Sequence, residues 1–178
     1  MHCHSHQSAK GGIGWKVPVL VLVATLGVVA FAALQRGTGG QVSTLPAAGG
    51  RIGVEPKTQD MGEVRMRDGL KTLTYTVKNT GSGLLTLTDM ETSCMCTTAV
   101  LEVEGKTSQK FGMRAHGGNP RGWSQALQAG ESGMLSVVFD PNAHGPSGVG
   151  DISRTITIRS NDDSSPVTQV GFTGTVVP

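Results

Sequence analysis

Between Lys71 and Lys78 the chain alternates without a break: Leu73, Tyr75 and Val77 fall on one side, Thr72, Thr74 and Thr76 on the other. A two-residue period with one apolar face is the pattern of a half-buried antiparallel strand, and it does not fit a helix. Asn79-Thr80-Gly81-Ser82-Gly83 then supplies a turn. Further strand signals follow at Leu84 to Glu91, Gly133 to Phe139, Ser153 to Arg159 (with Ile156 and Ile158 inward) and Gln169 to Val176. No amphipathic helix is evident after Arg36. Seven or so short strands punctuated by turns predict an all-β fold: an immunoglobulin-like antiparallel β-sandwich occupying residues 52–178. The Cys-Trp-Cys framework of true immunoglobulin domains is absent, and there is no internal repeat. Glycine is abundant at 26 of 178 residues and aromatics make up only 4%, which suits many turns and a lightly packed sheet.

Ahead of this domain, Val17 to Leu34 (VPVLVLVATLGVVAFAAL) carries no charge. As a helix it is about 27 Å long, enough to cross a thin hydrocarbon core. Lys16 and Arg36 bracket it and Trp15 suits an interface. Residues 17–35 are therefore expected to form one transmembrane anchor. The alternative is a cleaved secretory signal, with Ala30-Phe31-Ala32 as the small-x-small site. Either reading exports the β domain and places it outside the cytoplasm, in the first case as a single-pass protein of the cell membrane. Residues 1–16 form a polar tail; Met1-His2-Cys3-His4-Ser5-His6 is a metal-ligand cluster by composition, but the favoured reading is a solvated tail without fixed geometry. Residues 36–51, rich in Gly, Ala and Ser, read as a flexible linker.

From Arg51 onward twelve basic residues face thirteen acidic ones. The domain is close to neutral, with no basic face for nucleic acid. No nucleophile elbow, phosphate loop or H-E-x-x-H run is present, so the sequence does not indicate an enzyme.

The residue types that suggest chemistry gather at Thr92-Ser93-Cys94-Met95-Cys96-Thr97, followed by Met113 and His116 in Phe111-Gly112-Met113-Arg114-Ala115-His116. Placed on a strand, Cys94 and Cys96 share a face with α-carbons about 6.5 Å apart, near the upper limit for a disulfide. Three readings follow. Two thiolates with the Met113 thioether and the His116 imidazole form a soft metal site, best matched to copper(I) and next to zinc, with His144 as an additional ligand. Such a site stores or delivers metal. Alternatively, the dithiol is a redox pair, for which Arg114 is the nearest cation in sequence. In the third reading the cysteines are structural and the domain is a non-catalytic interaction module of the cell envelope. Trp123, beside Arg121, is then either a docking contact for an envelope protein or a lid folded onto a thin core.

Several segments carry a family resemblance: Val54-Glu55-Pro56, Asp60-Met61-Gly62-Glu63-Val64, Tyr75-Thr76-Val77-Lys78-Asn79-Thr80-Gly81, Leu87-Thr88-Asp89 and the cysteine segment, then Val138-Phe139-Asp140-Pro141 and Ile158-Arg159-Ser160-Asn161-Asp162. In this order they resemble a bacterial family of exported domains of unknown function (the DUF 1573 type). That family is immunoglobulin-like and distantly similar to Hydin-type domains. Its signature is Cys-Gly-Cys-Thr; here Met95 replaces the glycine, and an insertion over roughly 105–124 carries Met113 and His116. The resemblance implies the fold and an exported location, and it implies no activity.

Overall fold

The computed structural model describes residues 49–178. The expected N-terminal tail, the span at 17–35 and most of the linker lie outside the described residues. Among the described residues no helix is long and apolar enough to cross a membrane.

Among the described residues ten strands form two five-stranded sheets. The strands are β1 (Ile52–Glu55), β2 (Thr58–Arg65), β3 (Lys71–Asn79), β4 (Leu85–Thr92), β5 (Thr97–Val103), β6 (Lys106–Thr107), β7 (Gln125–Leu127), β8 (Ser132–Phe139), β9 (Gly150–Ser160) and β10 (Val167–Val177). One sheet has the order β1-β3-β8-β5-β6 and the other β2-β10-β9-β4-β7. The result is the expected immunoglobulin-like β-sandwich with more strands than the seven anticipated.

The sheet is not wholly antiparallel. β2 and β10 run parallel, with Phe172 opposite Gln59 and Val176 opposite Val64. Strands from opposite ends of the domain need no tight hairpin between them, so either direction is open to them. β2 is missed by periodicity because it is a mostly exposed edge strand in which only Val64 is buried. β5 is missed because its inward residues include Thr97 and Ala99, too small or too polar to stand out.

The alternation in β3 holds: Leu73, Tyr75 and Val77 are buried, and Thr72, Thr74 and Thr76, which alternate with them, are exposed. Their partners in the core include Leu85, Leu87, Met90, Leu101, Leu135, Ile156, Ile158 and Phe172. The Tyr75 hydroxyl donates to the Gly171 carbonyl at 2.8 Å, joining the two sheets across the core. Buried Asn79 donates to the carbonyls of Gly83 (2.8 Å) and Leu127 (2.9 Å) and accepts from the amides of Arg51 and Gly81.

Residues 49–51, expected in the linker, already belong to the sandwich. The Gly49 and Arg51 carbonyls accept from Gly83 and Thr80. Gly50 is buried so closely that a Cβ there would stand 2.6 Å from the Leu84 carbonyl oxygen. Asp162, 2% exposed, completes the attachment by accepting from the Arg51 guanidinium (2.8 Å) and the Ile52 amide (2.9 Å).

Three connections that pass from one sheet to the other meet at one end of the sandwich. They are the turn from β4 to β5, the segment from β8 to β9, and the short 3-10 turn Met66–Asp68 between β2 and β3. Register places them together, since Phe139 at the end of β8 stands opposite both Lys71 and Thr97. Hydrogen bonds tie them: the Asp140 amide to the Cys96 carbonyl (2.8 Å) and the Asn142 side-chain amide to the Met66 carbonyl (2.8 Å).

Candidate metal centre

Cys94 and Cys96 do not lie on a strand. They occupy the turn between β4 and β5, closed by the Thr97 amide donating to the Cys94 carbonyl at 3.1 Å. The strand spacing expected for the pair therefore does not apply. The buried Thr92 hydroxyl braces the turn by donating to the carbonyls of Cys94 (3.1 Å) and Thr97 (2.9 Å). Ser93 locks it to β9 through two 2.9 Å bonds, its amide to the Thr155 carbonyl and the Thr155 amide to its hydroxyl. Met95 projects at the tip, 49% exposed.

Turn geometry brings the two sulfurs to the same side. The Cys96 amide points at Cys94 Sγ, 3.4 Å away. Cys96 is 3% exposed, Cys94 is partly exposed, and both thiols are free. From the β8–β9 connection the exposed His144 places Nε2 3.2 Å from Cys94 Sγ. The donor atoms of Cys94, Cys96 and His144 all lie within 4.8 Å of one another. From β9, Arg154 donates through Nε to Cys96 Sγ at 3.2 Å.

These contacts split the two thiols. Burial pushes Cys94 up, but the hydrogen bonds from the Cys96 thiol, His144 and the Cys96 amide, helped by the charge of Arg154, outweigh it and lower the thiol to about 7. Cys96 moves the other way: burial raises it, and sharing its proton with Cys94 raises it further, against the opposing pull of Arg154 and Thr97. Of the pair, Cys94 is therefore the sulfur that gives up its proton first and Cys96 the one that keeps it longer.

The imidazole beside the sulfurs is His144, which the sequence offers only as an additional ligand. His116 is exposed at the end of the 3-10 turn Arg114–His116 and is not a member of the group. Met113 precedes that turn and borders a hollow of about 510 Å³ with Glu91, Thr92, Ser93 and Thr157, a lining that includes neither cysteine. The turn is held elsewhere: Arg114 pairs with Asp89 and, at 3.0 Å, with Glu91. Arg114 is therefore not the cation of the cysteine pair; Arg154 is. No local signal marks Arg154, which is 58 residues from Cys96 and reads simply as a polar position in an alternating strand. Trp123 stacks edge-on against the buried Phe111, with ring centroids 4.9 Å apart. It thus packs against the core, the second of the two roles expected for it.

Residues 52–111 match a family described as "Protein of unknown function (DUF1573)". This stretch includes the cysteine turn and stops short of His144 and Arg154. No curated protein matches the chain. Among solved structures, a protein of unknown function from Porphyromonas gingivalis W83 is 22% identical. The match covers 76% of this chain and 51% of that one, with a TM-score of 0.53; the chain thus spans about half the length of this neighbour, and the likeness is one of fold. The PapD-like domain 7 of human CEP192 is 10% identical over 71% of this chain and 84% of its own, at a TM-score of 0.42. The secreted serine protease VesC from Vibrio cholerae is 13% identical over 71% of this chain and 24% of its own, at 0.46.

Proposed function

We propose that this domain is a non-catalytic, membrane-anchored extracytoplasmic module that binds one copper(I) ion through Cys94, Cys96 and His144, for storage or delivery. The observation that carries the reading is the convergence of two sulfurs and an imidazole nitrogen within 4.8 Å at a braced corner of the sandwich. Two thiolates and one imidazole form a soft, three-donor set. Copper(I) accepts such a set readily, whereas a structural zinc site calls for a fourth ligand. His144 takes the place that the sequence assigns to His116. Thiolate character on Cys94 near neutral pH favours metal capture, since a thiol must lose its proton to ligate. The alternative is a non-catalytic interaction module of the cell envelope that docks through its loops; against the Trp123 contact in that reading stands the packing of this side chain on Phe111.

The test uses the full chain in detergent under reducing conditions, with His2, Cys3, His4 and His6 replaced by serine so that the tail cannot compete. Copper(I) is titrated against a chromophoric chelator. One equivalent, lost in Cys94→Ser and weakened in His144→Ala, is the expected result; no binding beyond the chelator's own overturns the reading and leaves a scaffold. The anchor is tested apart from the metal, by alkaline extraction and N-terminal sequencing of the mature chain. A mature start near Ala33 would replace the anchor at 17–35 with a cleaved signal.

A further inference from the structure

We infer that Arg154 is a specificity-determining residue of this site: its charge selects a monovalent ion over a divalent one. The inference rests on the metal-binding reading and adds to it which charge state the site accepts.

Arg154 reaches the sulfurs from β9 and is partly buried. Its Nε donates to Cys96 Sγ at 3.2 Å and one terminal nitrogen donates to the Ser153 carbonyl at 2.9 Å. Among the described residues no carboxylate pairs with it, in contrast to Arg51, Arg114 and Arg159, each of which has an acidic partner. The donor group likewise contains no carboxylate. Among the groups in direct contact with the two sulfurs, the formal charges are therefore those of the sulfurs themselves and the guanidinium, to which a bound ion adds its own.

The charge count then discriminates. Two thiolates with a singly charged ion leave a net charge of −1, which the guanidinium cancels. Two thiolates with a doubly charged ion are already neutral, and the guanidinium becomes an uncompensated positive charge beside a cation in a partly desolvated corner. Two such charges a few ångströms apart repel strongly when water screens them incompletely. The N–H···S bond acts in the same direction: by drawing electron density from Cys96 it weakens that sulfur as a donor to a harder divalent ion. Arg154 touches the ligand sulfur and needs no contact with the metal, so its effect appears in the ratio of affinities.

The experiment measures copper(I) and zinc(II) affinities by chelator competition for the full chain with the serine-substituted tail, alongside Arg154→Gln, Arg154→Met and Arg154→Lys. Expected is a fall of about tenfold or more in the copper-to-zinc affinity ratio for Gln and Met, with Lys retaining most of the native ratio because it keeps the charge. A native ratio in Arg154→Gln, with both metals still bound, overturns the inference and leaves the metal site standing. A native chain that binds neither ion overturns both, and the two failures are thereby distinct. Cobalt(II) charge-transfer absorption, read on the same variants, separates a changed preference from a site that has failed to form.

Discussion

His144 Nε2 lies 3.2 Å from Cys94 Sγ although 50 residues separate them in the chain. The contact exists because two sheet-to-sheet connections, β4 to β5 and β8 to β9, turn at the same end of the sandwich. The Asp140 amide bonded to the Cys96 carbonyl fixes one against the other. The remaining expectations follow from this and similar long-range contacts.

Cys94 should alkylate far faster than Cys96 at neutral pH. Its thiol is lowered to about 7, so the thiolate predominates above that pH and fades below it. The rate of iodoacetamide modification of Cys94, followed by mass spectrometry against pH, should have its midpoint near 7. His144→Ala should shift the midpoint upward by removing one of the hydrogen bonds that oppose burial. A midpoint at the ordinary thiol value in the native protein would show that the contacts do not hold the thiolate.

Asp162 accepts from the Ile52, Ser164 and Ser165 amides, the Ser164 hydroxyl and the Arg51 guanidinium. Burial raises its carboxyl, but these donors overcome that and hold it well below the usual carboxylate range. A depressed native value means that the stabilisation is complete above the ordinary aspartate range and is lost as pH falls through the native value. Asp162→Asn should cost about 1–3 kcal/mol at neutral pH, because an amide nitrogen would face donors. The variant's thermal midpoint should also fall less steeply with acidification than the native one. Parallel pH profiles would contradict the assignment.

Tyr75→Phe removes the one hydroxyl that bridges β3 to Gly171 of β10 across the core, leaving the Gly171 carbonyl without that donor. The expected loss is about 1–2 kcal/mol with the fold retained, measured by urea unfolding with an unchanged slope.

Phe111 is fully buried, paired through both backbone groups with Ala99 and capped by Trp123. Phe111→Ala should cost about 3–5 kcal/mol. Trp123→Ala should cost less, because its ring is only partly buried. Trp123 fluorescence should respond to the Phe111 substitution. Equal losses would mean that the insertion contributes to the core as a whole and not through Phe111.

Much of the sandwich is legible in one dimension because the two-residue period is a local property. Leu73, Tyr75 and Val77, and again Ile156 and Ile158, declare their buried face without knowledge of any partner strand. Edge strand β2 does not, since most of its residues face solvent and carry no contrast. The cysteine pair announces soft chemistry by composition alone. The choice between His116 and His144 is not local: His116 is nearer in sequence and is carried outward by a turn anchored through Arg114 on Asp89 and Glu91, whereas His144 is distant and is delivered by the neighbouring corner.

By itself, then, the order of residues determined that this domain would be built of strands, which faces would be buried, and that its soft-ligand residue types would gather at Cys94 and Cys96. Only the tertiary structure decided that β2 and β10 run parallel, that the sulfurs sit on a corner turn, and that His144 and Arg154 stand beside them. The physical reason is range: strand formation follows from side-chain alternation over a few residues, while a ligand set is assembled by connections that cross between sheets and owe their proximity to register.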